Sequence, residues 1–234
     1  MEKIVVNITG TVRQDKIGST DYLVAPVSLI VPGVLNGSRG PLFYSLEETS
    51  KNPSAWDHMP IVVYHPEAAG LPVSARDPDV LNKQGIGIVL RSRIANGKLV
   101  AEGWFDTART RQVDSRVLEN LESRKPIELS TGISLDPVPA PEGSTHNGVG
   151  YDFVARNYRP DHLAILPDQI GACSLKDGCG VLVNVLVNNE IVAGNLPLSE
   201  VTLMLDSPQD NCCLSRENTA FDLTRIINVL SGGE

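Results

Sequence analysis

In the stretch Ile127-Glu128-Leu129-Ser130-Thr131-Gly132-Ile133-Ser134-Leu135, Ile, Leu, Thr, Ile and Leu hold the odd positions and Glu, Ser, Gly and Ser the even ones. A helix gathers every third or fourth residue on one side, whereas alternation by twos puts one set on each face of a strand. The stretch therefore reads as a half-buried β-strand whose polar face carries Ser130, Gly132 and Ser134. Gly132, lacking a side chain, leaves room beside Ser130 for another backbone, such as an extended substrate.

Short apolar runs bounded by Gly, Pro or Asn extend the β reading to both sides. Ile4–Val12, Tyr22–Val31 and Ile61–His65 are strands, the last stopped by Pro66. Ile86–Ile94 and Lys98–Phe105 flank Ala95-Asn96-Gly97, whose Asn-Gly pair supplies the positive φ angles of a tight hairpin. Helices are few. Ser45 with Glu48 three residues on forms a capping box for a short helix running to about Asn52, before Pro53. Asp106 caps a second, through about Glu122, in which Val113, Val117, Leu118 and Leu121 face a core. Pro137–Gly150, rich in Pro and Gly, is a surface loop. The expected fold class is mainly β, of the α+β kind.

At about 150 residues per domain, 234 residues amount to one domain and an appendage. The polar texture beyond Asn188 places the division there: a domain over 1–187 and a C-terminal tail over 188–234. In the tail, Phe221, Leu223, Ile226, Ile227 and Leu230 share one face of a terminal helix. With 20 Lys and Arg against 28 Asp and Glu, the net charge of −8 lacks the basic footprint that nucleic-acid binding requires. The N-terminal apolar run Ile4-Val5-Val6 is too short for a signal peptide, and Pro26, Ser28 and Pro32 break the span from Tyr22 to Leu35, so neither secretion nor a membrane segment is expected. Cys173, Cys179, Cys212 and Cys213 lack the paired CxxC spacing of a zinc site and read as reduced, intracellular cysteines.

Three elements carry residue types suited to chemistry. His65 ends an apolar strand just before a proline, where a rigid scaffold can hold an imidazole at a cleft; histidine is the usual activator of a weak serine hydroxyl, here Ser130. Asp161-His162 opens the apolar run Leu163-Ala164-Ile165-Leu166, and either side chain suits the third role in a triad. Neighbours on a strand point to opposite faces, so only one of the two is expected in the site. A metal site from His58, His65, Asp161 and His162 would need His58 and His65 to converge across Pro60, and none is expected.

Taken in order, the strand ending in His65, the Glu128-Leu129-Ser130-Thr131-Gly132 strand after a helix, and Asp161-His162-Leu163-Ala164-Ile165-Leu166-Pro167 resemble the tailed-bacteriophage prohead (capsid maturation) proteases over roughly residues 20–183. The resemblance implies a partly open antiparallel β-barrel with a few surrounding helices, similar to herpesvirus assemblin. It implies a serine endopeptidase without a cofactor, with Ser130 as nucleophile and His65 as base. Asp161 is the third member or, as in the herpesvirus branch, a second histidine, His162. It further implies the major capsid and scaffold proteins as substrates, cut inside the immature head in the host cytoplasm, with self-cleavage of the tail and room for a homo-oligomer. Nucleic acid, membrane and metal have no part in it. The alternative expectation is a non-catalytic scaffold or capsid-associated protein on the same fold. The long Pro137–Gly150 loop and the lack of a long charged helical segment at the C-terminus depart from the family's pattern.

Overall fold

The computed structural model describes residues 12–37 and 40–182. Its strands are β1 Arg13–Ile17, β2 Thr20–Ile30, β3 Gly33–Gly37, β4 Gly40–Tyr44, β5 Pro60–Val63, β6 Glu67–Ala68 and β7 Leu71–Pro72. They continue with β8 Gly85–Ala95, β9 Lys98–Asp106, β10 Glu128–Pro139, β11 Thr145–His146, β12 Val149–Gly150, β13 Phe153–Leu166 and β14 Gly180–Val181. The helices are α1 Leu46–Thr49, α2 Pro78–Gln84, α3 Thr107–Val113 and α4 Ser115–Glu122. The fold is mainly β with few helices, as the apolar texture suggested.

Ten strands form one mixed sheet in the order β1-β2-β9-β8-β5-β13-β4-β3, with β10 paired to β13 and β14 paired to β2. Most pairs are antiparallel, but β13 runs parallel to both β4 and β5. β13 serves as the hinge of the sheet: its first half pairs with β4, its second with β5, and β10 lies along its other edge. Alternation on β10 and β13 sends Leu129, Leu163 and Ile165 into a core shared with Ile61, Phe105 and Trp56, all at most 1% exposed. Each such side chain contributes about 1.5–3 kcal/mol by leaving water.

The β8–β9 hairpin turns at Asn96 and Gly97, with φ of 50° and 70°, as the Asn-Gly pair requires. Ser45 caps α1 by accepting a hydrogen bond from the Glu48 N–H at 3.1 Å. The helix stops at Thr49, and a 3₁₀ turn at Pro53–Trp56 follows. The single helix expected from Asp106 to Glu122 is two. Asp114 is extended (φ −158°), and its carboxylate accepts from the Arg116 N–H to start α4 afresh. A mid-helix Asp competes for backbone donors in this way, and here it wins. The Pro137–Gly150 segment is also more ordered than a plain loop, since β10 continues to Pro139 and β11 and β12 form a small hairpin. Helix α2, opened by Asp77 and Pro78, had no counterpart in the sequence reading.

The cysteines require a correction. Cys173 and Cys179 are joined by a disulfide, with Cα atoms 5.5 Å apart, so the reading of all four as reduced does not hold for this pair. Cys212 and Cys213, most of the Ile4–Val12 strand, the boundary near 187, and the tail with its terminal helix lie outside the described residues. Among the described residues no helix is long and apolar enough to cross a membrane.

Candidate active site

β5 delivers His65. Its last residues pair with β13, Val63 opposite Ile165, and the Tyr64 N–H still donates to the Ile165 carbonyl at 3.1 Å. Tyr64 itself has φ of 62°, a left-handed conformation uncommon for an aromatic residue, and the chain turns out of the strand there. His65 follows, at the mouth of a cavity of about 860 Å³ that Ser130, Gly132, Asp161 and His162 also line.

β10 and β13 supply those four. Ser130 pairs with Ala164 and Gly132 with His162, so Ser130 and the Cα of Gly132 share one face of β10, two residues or roughly 6.6 Å apart. A methyl group at Gly132 would overlap the ring of His162. The room that the glycine provides is thus filled by His162, and the expectation of a substrate backbone at that spot is corrected.

The next pair is Ile133 with Pro160, which leaves Asp161 as an extra residue on β13. This β-bulge breaks the alternation that would have sent Asp161 and His162 to opposite faces, and both reach the cavity. Their side chains bond each other: His162 Nδ1 lies 2.7 Å from Asp161 Oδ2. His162 Nε2 in turn lies 2.8 Å from His65 Nδ1. The order is His65, His162, Asp161, so the group next to His65 is the histidine. Asp161, expected to touch His65, instead stands behind His162; the extra residue at the bulge is the physical reason.

Two residues that the sequence reading missed complete the carboxylate's surroundings. Ser74 Oγ donates to Asp161 Oδ1, and the Ala75 N–H donates to Oδ2 at 2.9 Å. Asp77 followed by Pro78 is a helix-start signal that could have marked a turn near Ser74, but nothing in the spacing indicates which carboxylate that turn would meet. Burial acts to raise the Asp161 carboxyl, but hydrogen bonds from Ser74, His162 and Ala75 outweigh it and hold the group below the usual carboxylate range.

Comparison with protein-family models, curated proteins and solved structures finds no match.

The ionised Asp161 orients the row. A carboxylate only accepts, so His162 Nδ1 must carry a hydrogen. In the arrangement with both rings neutral, His162 Nε2 accepts, His65 donates from Nδ1, and His65 Nε2 is left with its lone pair. His65 is open to solvent through the cavity, yet a charge is costly there: desolvation, with repulsion from His162 as the smaller cause, pushes its pKa down to about 4. Ser130 Oγ bonds neither His65 nor any other group among the described residues, so Ser130 shares the cavity with the row without being joined to it. His58 is not in the cavity, and among the described residues no cluster of His, Cys, Asp and Glu is arranged to hold a metal ion.

Proposed function

We propose that the chain is a serine endopeptidase of the prohead-protease kind, in which His65 Nε2 takes the proton of Ser130 as its oxygen attacks a peptide carbonyl. The acyl-enzyme so formed is released by water, with His65 returning the proton to the leaving amine and then activating the water. The observation that carries the reading is the row His65–His162–Asp161, which with both rings neutral leaves an unprotonated imidazole nitrogen on His65 in the cavity that Ser130 lines. A lone histidine at a strand end would have no such constraint. The catalytic set is then Ser130, His65 and His162, with Asp161 acting through His162.

The finer fold belongs to the same proposal. β14 pairs with β2, and Val181 also meets Ile127, just before β10, through one isolated bridge. The sheet therefore curls back on itself without a continuous ladder, which supports a partly open barrel similar to that of the herpesvirus enzyme. The proposed substrates are the major capsid and scaffold proteins inside the immature head, cut without metal or cofactor.

The test needs no substrate. A fluorophosphonate added to the purified protein should form an adduct that peptide mass spectrometry maps to Ser130, and His65→Ala should suppress it. Incubation of wild type and Ser130→Ala with capsid and scaffold proteins should yield fragments only with the wild type. An unlabelled Ser130, with no fragments, would favour the non-catalytic capsid-associated alternative.

A further inference from the structure

Tyr64 is bound at its hydroxyl as well as at its backbone. The hydroxyl donates to Asp168 at 2.8 Å and accepts from Arg116 Nη2 at 2.9 Å, while Arg116 Nη1 donates to the other oxygen of Asp168, also at 2.9 Å. Arg116 is itself held by Asp114, through Nε at 2.9 Å and Nη2 at 2.6 Å. Three segments meet at this cluster. They are the turn that presents His65, the first turn of α4, and the stretch after β13 that begins with Pro167 and Asp168. That last stretch forms part of the cavity wall through Gln169, Ile170 and Gly171, and Gly171 sits so close to the Leu129 carbonyl that a methyl there would overlap it.

A left-handed residue that is not glycine is strained, and relaxing it toward the extended conformation would carry His65 onward along the strand, away from His162. Isolated surface ion pairs contribute too little to hold such a turn, but a planar guanidinium bonded at once to two carboxylates and a phenol is a network of fixed geometry.

We propose that Tyr64, Arg116 and Asp168 form a clamp that positions His65, with Tyr64 as the positioning residue. The proposal rests on the protease reading for its consequence but not for its geometry. With the clamp closed, Tyr64 stays in its turn and His65 Nδ1 stays on His162. With it open, His65 is released from that bond and relaxes to the Nε2–H tautomer that a free neutral imidazole prefers, which removes the lone pair needed for Ser130.

The experiment combines two measurements on Tyr64→Phe and Arg116→Ala. The nitrogen NMR spectrum of the His65 ring should show Nδ1–H in the wild type and a shift toward Nε2–H in both variants. Steady-state cleavage of a peptide substrate should show kcat lowered roughly 10- to 100-fold with KM little changed. The double variant should be no worse than the worse single one, since one clamp can be opened only once. Melting curves confirm that each protein is folded, and if Tyr64→Phe is not, the exposed Arg116 gives the same reading from the other side. An unchanged His65 tautomer in a folded variant overturns the clamp whatever the kinetics. A shifted tautomer in a protein that cleaves nothing supports the clamp and counts against the protease.

Discussion

A row of neutral imidazoles passes protons in one direction only when a group at one end is unable to donate, and Asp161 is that group. Its replacement by Asn is instructive because the Ala75 N–H is a donor only and lies on the same oxygen as His162. The amide should therefore turn its oxygen to Ala75 and His162 and its nitrogen to Ser74, whose hydroxyl can accept. The tautomers survive, and Asp161→Asn should lower kcat only about tenfold, well short of the roughly 10⁴-fold loss when an amide reverses a catalytic histidine. His162→Ala, which removes the partner that His65 touches, should cost more; the opposite ranking in single-turnover assays would put Asp161 next to His65 after all. The pH profile gives an independent check. Protonation occupies the lone pair of His65, so kcat/KM should fall as pH drops through about 4 rather than near the ordinary histidine value of about 6.5. Of these residues, His65 and Ser130 stand out as candidates by their places on strands, and only the resemblance gives them roles. The order of Asp161 and His162 does not stand out, because a strand's period of two places adjacent residues on opposite faces, and the bulge that unites them leaves no mark in composition.

Among the elements, those with a local cause were readable. The Asn96-Gly97 hairpin, the Ser45 cap and the alternation of β10 each depend on residues within a few positions of one another. The break at Asp114 is local too, but it turns on whether that carboxylate caps or faces solvent, and Arg116 decides this by binding it. Asp114→Ala should lower stability by about 1 kcal/mol, the usual value of an N-cap, as a shift of the urea midpoint with unchanged slope. Gly132→Ala tests β10 differently. The added methyl must displace the His162 ring, so proteolysis should be lost while the melting temperature falls by only the few degrees that about 1–3 kcal/mol of overpacking implies. A fully active Gly132→Ala would mean that the ring does not rest on Gly132 in solution.

For the whole molecule, the ties that matter join distant parts of the chain, and neither periodicity nor capping rules reach that far. Glu128 accepts from the N–H groups of Gly171 and Leu175, fixing the segment after β13 to the start of β10. The disulfide locks the same segment: Cys173 lines the cavity, and Cys179 is buried, with its sulfur 3.6 Å from the Leu29 carbonyl. For so short a loop, replacing both cysteines by Ser should cost about 2 kcal/mol. At this size that is a drop in Tm of roughly 4–8 °C, to be measured by calorimetry with and without reductant. A wild type indifferent to reductant would show that the bond is absent under those conditions.

The pairing of β10 with β13 behaves like a reading frame. Residue numbers of partners sum to 294 from Glu128 with Leu166 to Gly132 with His162, to 293 at Ile133 with Pro160 and Ser134 with Arg159, and to 292 from Asp136 with Arg156 onward. Each step inserts one residue in β13, and the extra residue is taken up where it occurs, so the pairs on both sides of a step still face each other across the ladder. Deleting Asp161 would thus remove the carboxylate and close the first step, leaving Pro160 opposite Ile133 and His162 opposite Gly132 in a regular ladder. A residue added or lost away from the two steps has no such outlet: it must open a new bulge or turn a whole run of side chains to the wrong face. Related chains that vary in length here should therefore do so at the two steps, and a change elsewhere along the pair would mark a chain whose site has been rebuilt.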